Sequence, residues 1–160
     1  MSLKERSFVV SDLRDRPEFS KDVADRVWRA WWQEKGYPLD YIAGRVAENL
    51  EAEAIPFAVV AHDGEQFLGT ASVIPSDLEE RPEYTPWVAA VWVDPEHRRR
   101  GVGAALVQEA ARAAFNCGPE LVYLCALPEK RSFYENLGWQ RLEENVGEGG
   151  LTVLTLSRNP

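Results

Sequence analysis

Residues 85–93 read as a strand whose stretch Trp87-Val88-Ala89-Ala90-Val91-Trp92-Val93 is apolar at every position. A strand with both faces apolar must be covered on both sides, so it belongs in the middle of a sheet. A stretch with helical spacing follows, with Val102, Leu106, Ala110 and Ala113 in line, and it stops at Gly118-Pro119. A second apolar run then spans residues 121–126. A helix that returns the chain to the same end of a sheet joins parallel strands. This one unit commits the chain to a mixed α/β sheet.

The other elements build outward from it. Residues 7–10 read as a first strand. Pro17 opens a helical stretch with Val23, Val27, Ala30 and Trp31 at helical spacing, ended by Gly36. Pro38 starts a second helix with Ile42, Val46 and Leu50 along one face. Residues 56–61 and 67–74 form a hairpin around Asp63-Gly64. Residues 75–83 form a polar loop. Residues 131–136 make a short helix closed by Gly138, and residues 139–142 and 151–156 form a closing strand pair. The expected architecture is α/β (α+β), one domain over residues 1–160, with a central mixed sheet of six to seven strands flanked by about four helices.

Composition narrows the partners. A chain of 160 residues that is 45% hydrophobic has enough apolar surface for one sizeable core. Its net charge of -8 repels phosphates, so nucleic acid and anionic membranes are not expected partners, whereas a cationic substrate suits it. No apolar run approaches a membrane span, and Met1-Ser2-Leu3-Lys4-Glu5-Arg6 lacks the apolar core of a secretory signal. Cys117 and Cys125 suggest no disulfide framework, and no Cys/His pairs stand at metal spacing. A reducing cytoplasm and no metal are the simplest expectation.

The chemistry concentrates after Val93. Arg98-Arg99-Arg100-Gly101-Val102-Gly103 joins the buried strand to a helix. Helix N-termini present unpaired N–H groups and partial positive charge. Gly101 and Gly103 put no side chain in the way of an anion, and the arginines add cationic donors. The result is a cradle suited to a pyrophosphate. The dinucleotide fingerprint does not fit, because its third glycine is missing, and no Gly-Lys-Ser/Thr follows as in a P-loop.

This segment resembles motif A of the GCN5-related N-acetyltransferases, Arg/Gln-x-x-Gly-x-Gly/Ala after a strand. Phe133-Tyr134-Glu135-Asn136-Leu137-Gly138-Trp139 resembles the same family's Tyr-Glu-x-Leu-Gly-Phe motif. The resemblance implies an acyl-CoA N-acyltransferase fold and acetyl-CoA as cosubstrate. It implies that backbone groups of Val91 and Val93 hold the pantetheine arm and that N–H groups from Arg99 to Ala104 hold the pyrophosphate. The side chains of Arg98, Arg99 and Arg100 would add phosphate contacts. Tyr134 would be the general acid that protonates the leaving thiolate, since a phenol keeps its proton at neutral pH.

Two departures stand out. Some relatives carry a glutamate base in the strand that ends at Val93, and residues 87–93 here hold no carboxylate. Glu83 just upstream, with Asp77, Glu79 and Glu80 in the preceding loop, supplies the candidates. Many relatives place an asparagine seven residues before the tyrosine, where this chain has Leu127, with the Ser132 hydroxyl nearby. Cys125 reads as a core thiol, and His62 and His97 as structural or exposed. Trp28, Trp31, Trp32, Tyr37 and Tyr41 form either packing, a dimer contact or an aromatic wall in which Trp32 faces the acceptor. Trp87 stands where some relatives carry the base and is expected to line the acceptor pocket, with Asp77 binding a cationic group. The expected activity is acetyl transfer from acetyl-CoA to a primary amine of a small molecule, peptide or protein, and the fold class that the resemblance implies is compatible with a homodimer. The alternatives are a non-catalytic acyl-CoA sensing domain and a generic nucleotide-binding domain.

Overall fold

Alternation along one strand shows which layers the sheet separates. In the computed structural model, which describes residues 7–159, strand β2 (Phe57–Asp63) turns Phe57, Val59 and Ala61 to one side and Ala58 and Val60 to the other. The first set packs on helix α3 (Val102–Phe115), through Val102, Leu106, Ala110 and Ala114. The second packs on helices α1 (Ser20–Val27) and α2 (Leu39–Glu51), through Val23, Ala24, Ile42 and Val46. A period of two buried on both faces is the mark of a sheet covered by helices on each side.

The remaining strands are β1 (Val9–Asp12), β3 (Gln66–Ile74), β4 (Trp87–Val93), β5 (Leu121–Ala126), β6 (Gln140–Val146) and β7 (Leu151–Ser157), and α4 (Arg131–Glu135) is the short helix before β6. They form one seven-stranded sheet in the order β1-β2-β3-β4-β5-β7-β6. β4 and β5 are parallel, joined by α3 as the crossover requires, and every other neighbouring pair is antiparallel. Among the described residues no helix is long and apolar enough to cross a membrane.

Three details differ from the sequence expectation. β1 starts at Val9 and β4 at Trp87, each two residues later than expected. The first helical stretch is composite: a 3-10 turn Pro17–Phe19, then α1, then a π turn Trp28–Trp32 closed by Gln33 N–H on the Trp28 carbonyl at 2.8 Å. The wider turn splays three tryptophans apart. Trp28 donates to the Tyr37 carbonyl (2.7 Å), Trp31 meets the edge of Trp92, and Trp32 meets Tyr37 and Tyr41. β6 runs to Val146, past the expected end at Leu142, because Glu143, Glu144 and Asn145 extend it as a polar edge strand with two register shifts.

Candidate active site

A single residue in β4 creates the cleft. Ala90 lies in the left-handed region (φ 53°), and the β3–β4 register slips between Thr70 and Ser72 opposite it. Before this bulge, Tyr123 N–H of β5 donates to the Pro86 carbonyl (3.0 Å), so even-numbered backbone groups face β5. After it, Asp94 N–H donates to Leu68 on β3 (2.9 Å), so even-numbered groups face β3. The extra residue has reversed the alternation, and the backbone of Val91 and Val93 now faces the β5 side. The side chains switch with it: Val88 points into the α3 layer before the bulge, Val91 and Val93 after it. β5 does not follow. The two strands are in register at Trp87 and Tyr123 alone and then diverge. Backbone hydrogen-bonding groups therefore line a gap inside the sheet.

The far end of the gap is the start of α3. Arg99 (φ 64°) and Gly101 (φ 79°) are both left-handed and flank Arg100, a turn in which successive N–H groups gather on one side. Gly101 is the N-cap, with no side chain bonded into the helix start. The ladder begins with Ala105 N–H on the Gly101 carbonyl (3.1 Å), so the N–H groups of Val102, Gly103 and Ala104 precede it. A Cβ at Gly103 would lie 3.5 Å from Phe133 and 3.7 Å from Val93, so β4, α3 and α4 converge here. The buried Asp94 carboxylate ties the turn to α1. It accepts from Arg26 Nε (3.0 Å) and from Trp92 Nε1 (2.9 Å).

The near end is aromatic and polar. Tyr134 of α4 is half-buried and packs edge-on to Phe133 at 5.0 Å. Burial, reinforced by the nearby Cys125 sulfur, pushes its phenol up to about 12. Cys125 of β5 donates from its thiol to Asp77 Oδ2 at 3.2 Å. Burial, and then the neighbouring carboxylate, also raise the Cys125 thiol, so it is uncharged at neutral pH. Tyr84 and Tyr123 stack in parallel at 4.6 Å beside Trp87. The Tyr84 hydroxyl donates to Glu143 (2.8 Å), which also takes two bonds from Arg81.

The gap is lined by backbone of Val91 and Val93, has the uncapped start of α3 at one end and Tyr134 near Cys125 of β5, and so can take an extended, anionic arm. Residues 17–139 match the model of the acetyltransferase (GNAT) family. The chain belongs to this family. Solved structures agree in fold. An aminoglycoside 6'-N-acetyltransferase complexed with coenzyme A is 19% identical, with a TM-score of 0.71 over 93% of this chain and 96% of that one. A protein from Salmonella typhimurium solved with acetyl-CoA is 18% identical, with a TM-score of 0.69 over 94% of each chain. A spermidine N-acetyltransferase from Vibrio cholerae, described as dodecameric, is 16% identical, with a TM-score of 0.69 over 97% of this chain and 96% of that one.

Within this GNAT acyltransferase the expected site residues separate. Val91, Val93, Gly101, Val102, Gly103 and Ala104 come together along the gap and its cradle. The arginines do not act as a set. Arg98 turns back, donating to the Val93 carbonyl (2.9 Å) and lying 4.9 Å over the Trp92 ring. Arg100 is engaged with Ser7 (2.6 Å) and His97 (3.0 Å). Arg99 has no side-chain partner among the described residues. Trp87 differs from expectation: it exposes none of its surface, and its indole donates to the Tyr84 carbonyl, so it floors the mouth from within the core and presents no face to a ligand. Trp32 spends its edges on Tyr37 and Tyr41 and its face on Lys35, whose ammonium lies 5.1 Å from the ring. Glu83 is an exposed turn residue. Leu127, where relatives carry asparagine, is 46% exposed and caps the 3-10 turn Pro128–Lys130. His62 is structural, bonded to Ser11 (2.8 Å) and stacked on Phe19. Sequence reasoning did not find the Ala90 bulge or the Tyr84–Glu143–Arg81 cluster. Nothing in an apolar run marks a bulge, and the cluster joins two segments far apart in the chain.

Proposed function

We propose that the protein is an N-acetyltransferase that transfers the acetyl group of acetyl-CoA to a primary amine by direct attack. The observation that carries the reading is the reversal at Ala90, which turns the Val91 and Val93 backbone into a gap leading straight to the uncapped start of α3. An amide-containing arm can pair there like a strand through the Val91 backbone and the Val93 N–H, since Arg98 takes the Val93 carbonyl, with its pyrophosphate on the N–H groups of residues 102–104. The thioester then lies at the opposite end, beside Tyr134.

Tyr134 is suited to donate to the sulfur. Its raised phenol stays protonated over the working pH range, and a hydrogen bond from it strengthens as thiolate charge develops. Arg99, without a side-chain partner among the described residues, adds a cation at the cradle, while Arg98 and Arg100 hold the turn in shape. The net charge of -8 favours a cationic acceptor. The aminoglycoside and spermidine enzymes of the same fold act on polycationic amines, which agrees with this preference. The test is thiol release from acetyl-CoA across a panel of an alkyl diamine, an aminoglycoside and a lysine peptide, alongside thermal shift with CoA, ATP and NAD. Stabilisation by CoA alone and turnover with at least one amine are expected. No shift at saturating CoA overturns the reading, because a ligand of the native state must stabilise it.

A further inference from the structure

An ammonium cannot attack a thioester, so the acceptor must lose a proton, and β4 has no carboxylate to take it. The loop between β3 and β4 offers Asp77, Glu79, Glu80 and Glu83, and the structure separates three of them. Glu83 is exposed in a turn and makes no side-chain hydrogen bond among the described residues. The Glu80 carboxylate lies against the turn between β6 and β7, where a Cβ on Gly147 would meet it at 3.3 Å. Of these three, Asp77 is the one with a side-chain bond to β5, through the Cys125 thiol at 3.2 Å. Cys125 lies one side-chain repeat beyond Tyr123, the one residue of β5 in register with β4, so this contact marks the point where the gap opens. With the pyrophosphate at the start of α3, the thioester end of the arm comes to that same point.

The geometry points to Asp77 as the carboxylate that receives the acceptor's ammonium group and takes its proton, an assignment that rests on the amine-transfer reading above. Its surroundings fit. The titratable groups on this side are Cys125 and Tyr123 of β5, Tyr84 and Arg81 of the loop, Glu143 of β6 and Tyr134 of α4. Arg81 is committed to Glu143, and Cys125 and Tyr134 stay neutral. No cation pairs with Asp77 among the described residues. Asp77 is exposed to an arriving substrate, and the protein packed around it raises its pKa, moving a weak base toward the working pH. An arriving ammonium supplies the missing counter-charge.

The step balances. Asp77 takes one proton from the ammonium, and the freed lone pair forms the C–N bond at the thioester carbonyl. Collapse breaks the C–S bond, and the thiolate leaves with the Tyr134 proton. Nitrogen releases its second proton through water, which restores Tyr134. Asp77 sheds the first proton to solvent, so one proton is released per amide formed.

The test compares wild type, Asp77→Asn, Asp77→Glu and Glu83→Gln with the best amine of the panel, reading kcat against pH and CoA affinity by thermal shift. Asp77→Asn is expected to lower kcat about 100-fold or more, erase the acid limb of the profile and leave the CoA shift intact, with partial recovery in Asp77→Glu. A normal kcat and acid limb in Asp77→Asn overturn the assignment, as does the loss appearing in Glu83→Gln instead. A wild type that binds CoA but acetylates no amine overturns the transfer reading itself, and the assignment with it.

Discussion

A Cβ on Gly69 would lie 2.5 Å from the Trp92 carbonyl oxygen and 3.2 Å from Val93 Cα. β3 passes that close because the bulge at Ala90 draws β4 against it, while Leu106 of α3 fills the space above. Gly69→Ala must push backbone against backbone. It is expected to cost about 1–3 kcal/mol in a urea titration. It should also weaken the CoA thermal shift more than that loss alone explains, because the displaced strand carries Val91 and Val93.

Tyr134→Phe keeps the ring packed on Phe133 and removes only the hydroxyl. On the proposed chemistry kcat falls about 100-fold while the CoA shift is unchanged. Equal losses in kcat and CoA binding would assign Tyr134 to packing.

The same phenol sets a pH expectation. Its ordinary pKa of 10.0 is raised to about 12 in the folded protein. Below pH 10 both folded and unfolded chains keep the proton, and the group adds no pH dependence. Between pH 10 and about 12 the unfolded chain ionises first, so stability falls with rising pH. Denaturant titrations of wild type and Tyr134→Phe at pH 9 and 11 should diverge only at the higher value.

Glu143 behaves in the opposite sense. Bonds from Arg81 and Tyr84 hold its carboxyl down at about 2, against an ordinary 4.5. Its contribution is present above pH 4.5 and is lost as pH falls from there toward 2. Glu143→Gln should flatten the acid side of the melting-temperature profile in that window.

Asp94 is buried at 5% exposure, with Arg26 and Trp92 as partners. Asp94→Ala leaves Arg26 with Asp25 alone (2.6 Å), leaves the Trp92 indole N–H without its acceptor, and frees the turn that leads to Gly101. A loss of about 1–2 kcal/mol is expected, read by chemical denaturation. A surface-like change below about 0.5 kcal/mol would show that the network contributes nothing.

Much of this was legible before any coordinates. The crossover from β4 through α3 to β5 follows from two apolar runs around one helical period, and the cradle from glycines at a helix start. Backbone events were not legible. The Ala90 bulge sits in an unbroken apolar run, so hydrophobic patterning is blind to it. Arg98, Arg99 and Arg100 look equivalent as letters, and only the folded turn shows that Arg98 and Arg100 bond back to the protein while Arg99 has no side-chain partner among the described residues. Trp87 has the right position for a pocket wall, yet it is sealed under Tyr84 by a loop whose path no local pattern encodes. β6 escaped full recognition because an edge strand need not be hydrophobic.

The single rung between Trp87 and Tyr123 bears on what happens after the chemistry. On the proposed function, the arm seated along Val91 and Val93 is the same molecule before and after the acetyl group departs. The grip that recruits the donor therefore holds the spent thiol about as firmly, and it does nothing to favour the reacting state over either. Free CoA should compete with acetyl-CoA from the outset, and the pace of the cycle would be set by how fast the borrowed strand peels away.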